Sequence, residues 1–155
     1  MSGDVVGEQL SFDLPMETPD IERCIPHRYP FLLIDRVYAY SVGEFIHAAK
    51  AISISDPILQ GHFPGDPVVP GVVIVEGMAQ ASAVLGRLTA QTEDSACLLM
   101  EIQRTRFRRK VIPGDILEFF VRIIKSRGSF LWFEGEAKVG GDLAASCQFS
   151  AKIGN

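Results

Sequence analysis

The sequence has few cysteines, no excess of positive charge and no uninterrupted apolar stretch long enough to span a membrane. Its three cysteines, Cys24, Cys97 and Cys147, stand far apart with no CxxC pair, unlike a disulfide framework or a zinc site. The chain has fifteen basic and nineteen acidic residues, and the resulting net charge of -4 excludes a general binder of polyanions. We therefore expect a protein of a reducing compartment, the cytoplasm, with no metal.

The first twenty residues lack Lys and Arg and carry five acidic side chains, which is the opposite of a signal or transit peptide. We expect residues 1–18 to form an acidic mobile tail and residues 19–155 to form one domain, because 155 residues suffice for one core.

The most apolar run covers residues 68–85 but contains Pro70, Glu76 and Gln80, which would be costly in hydrocarbon. From Gly71 to about Ala90 it is apolar almost all round a helical circumference, which is typical of a buried central helix. The run is therefore predicted to be a core helix and not a membrane span.

The rest of the chain is rich in β-branched and alternating patterns punctuated by turns. The predicted elements are a short helix from Thr18 or Asp20 to before Pro26, strands at 31–38 and 45–54, a stiff loop at 55–70, and a strand meander over 104–151. This order predicts an α+β fold, a curved antiparallel sheet wrapped around one long helix. Open sheet edges favour a dimer at least.

Glu76 is an isolated carboxylate inside the apolar helix. Such a group either pairs with an arginine or a backbone amide and only fixes packing, or it performs chemistry. His62 lies shortly before this helix in the stiff turn GHFPG, where its imidazole could face the first helical turns. Alone each residue has an ordinary structural explanation, but together they indicate an acid–base pair.

The start of the helix is the third candidate element. Pro70 suits the first helical turn and Val69 offers no side-chain cap, so the first N–H groups could be free to hold a polarised carbonyl. Water or Asp66 could equally satisfy them. An imidazole, a carboxyl and an amide donor are the parts that remove a proton beside a carbonyl and expel a hydroxyl, so we expect a β-elimination site.

Three motifs carry a resemblance to a known family: IPHRYPFLLIDRV at 25–37, QGHFPGDPVVPGVVIVEGMAQ at 60–80 and RFRRKVIPGD at 106–115. On these the chain resembles the FabZ-type 3-hydroxyacyl-[acyl-carrier-protein] dehydratases of bacterial type II fatty acid synthesis, which have the hot-dog fold and no cofactor. The resemblance covers about residues 20–150. It implies a dehydratase of fatty acid and lipid A synthesis.

The resemblance also assigns roles to residues. His62 matches the catalytic histidine, Glu76 the catalytic glutamate and Gly71 the glycine whose N–H polarises the thioester carbonyl. In this family the histidine and glutamate of one site come from different subunits, and dimers commonly assemble into a hexamer, a trimer of dimers. Isomerase-dehydratase relatives usually carry Asp at position 76, so glutamate favours dehydration alone.

The segment from Arg104 to Arg127 carries a charge of +6 while the rest of the chain carries -10. A strand that exposes its basic side chains to solvent would explain this positive charge. A nucleic-acid-binding surface would also explain it, but the segment lacks the regularly spaced aromatic residues that stack on bases. The resemblance favours acyl carrier protein, whose helices are acidic. The docking candidates are Arg104, Arg106, Arg108, Arg109 and Lys110.

His27 belongs to the first motif, but its place before a strand suggests loop packing, so no catalytic role is assigned to it. Four side chains are candidates for an acyl tunnel or for ordinary core: Tyr29, Phe31, Phe63 and Met100. The chain departs from the family at Gly77, where alanine is usual, at Lys110, and at residues 101–105.

Two other functions remain compatible with the sequence. A thioesterase or an enoyl-CoA hydratase would keep the fold and change the reaction, and hydrolysis would not require His62. A non-catalytic acyl-binding or carrier-docking module would keep only the tunnel, and it would gain nothing from a buried ionisable pair.

Overall fold

The computed structural model describes residues 9–91 and 96–154. Two α-helices, one 3-10 turn and six strands occur in this part of the chain. They are α1 Thr18–Cys24, β1 Arg36–Ser41, β2 Phe45–Ala51, the turn Pro57–Leu59, α2 Gly71–Ala90, β3 Cys97–Phe107, β4 Ile116–Arg127, β5 Phe130–Val139 and β6 Asp142–Ile153.

The strands form one antiparallel sheet in the order β1-β2-β4-β5-β6-β3. Alternate side chains of β4 and β5 point to one face, where Phe119 and Phe133 are fully buried. Helix α2 packs on that face through Met78 and Leu85, which are also fully buried. The predicted α+β fold, a sheet around one long helix as in a hot-dog fold, is confirmed.

Helix α2 has the bounds that the sequence predicted, but Pro70 is its N-cap residue and lies just outside the first turn. It is long and apolar enough to cross a membrane, yet 67% of its most apolar window is buried inside the domain. The apolar side chains all round α2 are therefore explained by the sheet and loops that enclose it.

The first strand begins later than predicted, at Arg36 and not at Phe31. Residues 31–35 run over α2 as a loop, in which Leu33 and Ile34 are buried. The backbone N–H of Leu33 is bonded to the side chain of Gln80 and not to a neighbouring strand. Apolar side chains at 31–34 thus reflect contact with the helix and not membership of the sheet.

The sequence predicts a mobile tail over residues 1–18, of which residues 1–8 lie outside the described part. From residue 10 onward the structure differs from this prediction. Met16 is fully buried and pairs with Val37 through two backbone hydrogen bonds. Leu10 and Phe12 pack against the core. Burial of these apolar side chains attaches residues 10–16 to the domain.

Strand β3 forms one edge of the sheet, with neighbours on one side only. Its side chains are mostly exposed, and several are large and apolar. The exposed ones are Leu98, Leu99, Met100, Ile102 and Phe107. An unpaired apolar edge of this length is a surface that natural proteins usually cover.

Candidate active site

The loop before α2 holds His62 through its backbone. The His62 N–H donates to the carbonyl of Leu59, and the His62 carbonyl accepts from the N–H of Val68 at 2.9 Å. Two reciprocal bonds of 2.9 Å join Phe63 and Asp66, and the peptide bond between His62 and Phe63 is cis. The turn predicted from its prolines and glycines is thus tied together internally.

The imidazole of His62 has a defined tautomer. Its Nδ1 lies 2.7 Å from the carbonyl oxygen of Val68, which can only accept a hydrogen bond. Nδ1 therefore carries the hydrogen in the neutral ring, and Nε2 keeps a free lone pair. The ring stacks on Phe63 with centroids 4.1 Å apart. A neutral His62 is thus prepared to accept a proton at Nε2.

The start of α2 borders the same space as His62. No side chain caps the helix, and the carbonyl of Pro70 accepts hydrogen bonds from the N–H groups of Val73 and Ile74. Among the described residues, no hydrogen bond uses the N–H of Gly71. Asp66, a possible partner on sequence grounds, instead lies 3.6 Å from the Nζ of Lys110. The Gly71 N–H is therefore available to a ligand at the positive end of the helix.

His62 and Gly71 line one cavity of about 620 Å³. Phe107 and Arg108 contribute to its wall. A Cβ atom built on Gly71 would lie 2.8 Å from the Cε1 atom of Phe107, so a larger residue would require the exposed Phe107 ring to shift. The close approach of the backbone to this aromatic wall gives a physical reason for glycine at the helix start.

Glu76 lines a second cavity, of about 120 Å³, together with His27 and Cys97. Its side chain is 25% exposed. Its Oε1 atom accepts a hydrogen bond from Nε2 of Gln80 at 3.0 Å, and Nε2 of His27 is 3.8 Å from the same oxygen. Among the described residues the partner of Glu76 is therefore a side-chain amide, neither an arginine nor a backbone amide.

The two cavities lie on different sides of the same helix. Glu76 follows Gly71 by five residues, which places it about 140° further around the helix axis at about 100° per residue. His62 with Gly71, and Glu76 by itself, therefore border separate spaces within one protomer. One protomer does not bring the predicted pair into a common cavity.

Burial controls the titration of two groups beside Glu76. Desolvation lowers the pKa of His27 from 6.5, partly offset by the carboxylate of Glu76 and reinforced by the charge of Arg28. Burial also raises the pKa of the Cys97 thiol to about 12, with a further contribution from Glu76. His27 is therefore neutral at neutral pH, and Cys97 stays a thiol.

The predicted tunnel residues are exposed in the protomer. Tyr29 is 81% exposed, and Phe31, Phe63 and Met100 are each more than half exposed. The Glu76 cavity is lined instead by small and aliphatic side chains, those of Ala79, Ser82, Ala83, Leu98, Leu99 and Ala151. The tunnel assignment stays a prediction.

The five predicted docking residues fall into two groups. Arg109 is 3.2 Å from a carboxylate oxygen of Asp142, and Lys110 is close to Asp66. Within residues 9–91 and 96–154, Arg104, Arg106 and Arg108 have no acidic partner. Their charges are the ones available to an acidic surface.

Two residues at the site were missed as contributors by the sequence reasoning. Gln80 lies one helical turn after Glu76, a spacing at which side chains meet, and this was the available signal. His27 was assigned to loop packing, yet its ring lies beside the Glu76 carboxyl. No local pattern predicts that contact, because the two residues are far apart in the chain.

Comparisons with known proteins agree with these motifs. A family model described as a FabA-like domain matches residues 25–148. The chain is 44% identical over 144 residues to 3-hydroxyacyl-[acyl-carrier-protein] dehydratase FabZ of a Nitratiruptor species, covering 89% of this chain and 97% of that protein. It is 47% identical to the protein of the same name from Shewanella woodyi, covering 92% and 93%.

A solved structure shares the fold. It is the dehydratase heterocomplex ApeI:P from Xenorhabdus doucetiae, with a TM-score of 0.78 and 22% sequence identity over 93% of both chains. At that identity the similarity establishes the hot-dog architecture, and the sequence matches establish the family.

Proposed function

The chain belongs to the FabA-like family, among its FabZ-type 3-hydroxyacyl-[acyl-carrier-protein] dehydratases, and we propose how its residues carry out that reaction. The enzyme removes water from (3R)-3-hydroxyacyl-[acyl-carrier-protein] and releases the trans-2-enoyl thioester, a step of the elongation cycle of type II fatty acid synthesis. The substrate arrives on the phosphopantetheine arm of acyl carrier protein.

In the proposed mechanism Nε2 of neutral His62 takes the proton from C2 of the acyl chain. The Gly71 N–H donates to the thioester carbonyl oxygen and stabilises the negative charge that develops there. Glu76 gives a proton to the 3-hydroxyl group as the C3–O bond breaks, so that water leaves and the C2–C3 double bond forms. The proton on His62 must then return to Glu76 through water before the next cycle.

One observation carries this assignment. The bond from Nδ1 of His62 to the carbonyl of Val68 leaves Nε2 as the base, in the cavity that the free Gly71 N–H also borders. A thioesterase would use a carboxylate-activated water and would not require a histidine base at this place. The pair is suited to removing a proton next to a carbonyl.

A shared site explains why Glu76 lies on another side of α2. In a homodimer, Glu76 of one protomer would complete the site formed by His62 and Gly71 of the other. The exposed apolar edge of β3, next to the Glu76 cavity, supports pairing of two β3 strands across a two-fold axis. The family resemblance extends this to a hexamer, a trimer of dimers, which native mass measurement would test.

Acyl carrier protein would dock beside the His62 cavity. Arg108 lines that cavity, and Arg106 lies two residues away on β3. Their unpaired positive charges complement an acidic partner and would speed its encounter. Arg104, Arg109 and Lys110 extend the basic surface.

A cytoplasmic location is part of the proposal. All three cysteines are free thiols in the described chain. Free thiols are usual in a reducing compartment, where soluble fatty acid synthesis takes place.

The test is to incubate the purified protein with 3-hydroxyacyl-acyl carrier protein and to follow loss of one water by mass. His62→Ala and Glu76→Gln are the site variants, and His47→Ala and Glu134→Gln on other parts of the sheet are the matched controls. We expect enoyl product from the wild type and both controls and a loss of at least about 1000-fold from each site variant. Release of free carrier thiol would identify a thioesterase instead.

A further inference from the structure

Gln80 is a polar side chain that is only 1% exposed, in the middle of α2. Its amide makes three hydrogen bonds. Oε1 accepts from the backbone N–H of Leu33 at 2.8 Å, and Nε2 donates to the carbonyl of Phe31 at 2.8 Å and to Oε1 of Glu76 at 3.0 Å. Both Nε2 hydrogens are therefore used inside the protein.

The backbone contacts determine which way this amide points. The Leu33 N–H can only donate, so it must face the amide oxygen. The Phe31 carbonyl can only accept, so it must face the amide nitrogen. A flip of the Gln80 amide would place like groups against each other at both contacts. Loop residues 31–33 thus fix Gln80 as a hydrogen-bond donor toward Glu76.

The direction of the hydrogen bond from Gln80 distinguishes the two oxygens of the Glu76 carboxyl. Since Nε2 of Gln80 donates to Oε1, this contact favours Oε1 as the carbonyl oxygen and places the acid proton on Oε2. Nε2 of His27 is close to the same oxygen. Among the described residues no hydrogen bond involves Oε2, which leaves it as the oxygen available to substrate.

We propose that Gln80 is a positioning residue for the dehydration: it holds Oε1 of Glu76 as an acceptor, so that the acid proton lies on Oε2 and faces the leaving hydroxyl. This role rests on the proposed function of Glu76. It also links the acid to residues 31–33, so that a displacement of this loop would rotate the carboxyl. A general acid loses much of its effect when its proton points away from the leaving group.

The first test removes the amide while keeping the side-chain size. Gln80→Met is expected to lower kcat about tenfold to a hundredfold with KM changed less than about twofold. Gln91→Met is the matched control. Gln91 lies at the C-terminal end of the same helix, and its side-chain amide also makes hydrogen bonds to a distant backbone: it accepts from the N–H of Leu10 and donates to the carbonyl of Leu10. The control is expected to lose stability while retaining its kcat.

A double-mutant cycle separates positioning from general support of the fold. If Gln80 acts through Glu76, Gln80→Met should cost less than about threefold when combined with Glu76→Asp, whose shorter side chain already breaks the contact. Independent losses that multiply would overturn the positioning role.

The second test uses pH. In Gln80→Glu the side chain keeps its size but can donate toward Glu76 only while the new carboxyl is protonated. Its kcat relative to wild type is therefore expected to fall as pH rises from about 5 to about 8. A constant ratio would overturn the proposal, because a donor toward Glu76 that is lost with the proton must change kcat. Urea denaturation at the same pH values separates this change in kcat from any loss of folding stability caused by the buried charge.

The outcomes distinguish this inference from the proposed function. Wild-type protein that forms no enoyl product would overturn the dehydratase mechanism and the role of Gln80 together. Enoyl product from the wild type, with multiplying losses or a constant pH ratio in the variants, would overturn only the role of Gln80.

Discussion

The ring of Phe119 on β4 lies directly against the Cα atom of Gly77 on α2. A Cβ atom at position 77 would overlap the Cζ atom of this ring, far inside van der Waals contact. Phe119 is fully buried, so its ring cannot turn out into solvent to make room. Glycine at position 77 is therefore matched to a large side chain on the facing strand.

Gly77→Ala is expected to destabilise the protein, although alanine favours helix. Overpacking a closed core costs about 1–3 kcal/mol, which outweighs the gain of about 1 kcal/mol in helix propensity. Equilibrium unfolding in urea measures the difference. The double variant Gly77→Ala/Phe119→Leu should be more stable than the two single losses predict. A Gly77→Ala variant as stable as wild type would contradict this packing.

Much of the fold could be predicted because it depends on local patterns. The bounds of α2 follow from a long apolar run after Pro70, and β4 and β5 follow from alternation and the turn between them. The start of β1 was wrong because residues 31–34 are apolar for contact with α2, which local periodicity does not distinguish from a strand.

The site was predicted in its chemistry but not in its geometry. His62 and Glu76 stand out as ionisable groups in stiff or apolar surroundings. Their separation into two cavities depends on the angle around α2 and on the sheet order. The contact of Gln80 with Leu33 joins residues 47 positions apart, and no spacing rule anticipates it.

Mixing two inactive variants should restore activity if the site is shared between protomers. In a heterodimer of His62→Ala with Glu76→Gln, one site contains both substitutions and the other contains neither. Random exchange gives heterodimers in half of the population, so activity should return to about a quarter of the wild-type value. The rate of enoyl formation after co-refolding or subunit exchange is the measurement.

The matched control is each variant exchanged with itself, which should remain inactive. If the mixture also stays inactive while mass measurement confirms that heterodimers have formed, His62 and Glu76 do not act across a dimer interface.

Removing the unpaired positive charges should weaken docking of the carrier. Arg106→Ala and Arg108→Ala are each expected to raise KM for 3-hydroxyacyl-acyl carrier protein about threefold to tenfold, and to make it less sensitive to salt. The reason is that both side chains lack acidic partners among the described residues, that Arg108 lines the His62 cavity, and that Arg106 lies two residues away on the same strand. Steady-state kinetics at several salt concentrations measure the change.

Arg122→Ala is the control for this effect, because Arg122 already pairs with Glu134 at 2.8 Å. A small N-acetylcysteamine thioester, which carries no acidic protein, gives the second comparison. An equal increase in KM for both substrates would indicate that the arginines act on the acyl chain and not on the carrier.

His27 should make the protein less stable as pH falls. Burial lowers its pKa in the folded state below 6.5, so the unfolded chain binds more protons in the window between the lowered value and 6.5. The contribution of His27 to the free energy of unfolding is complete above 6.5 and is lost as pH falls through that window. His27→Gln should therefore have a flatter dependence of unfolding free energy on pH, measured by urea denaturation.

Two further variants test the cause of this pH dependence. Glu76→Gln removes the carboxylate that raises the pKa of His27, so the window should widen and the total loss of stability at low pH should become larger. Arg28→Ala removes a charge that lowers this pKa, so the window should narrow. His47→Gln retains His27 and with it the slope that His27 supplies. An unchanged slope in His27→Gln would show that the imbalance in protons arises elsewhere, because no other group is altered in that variant.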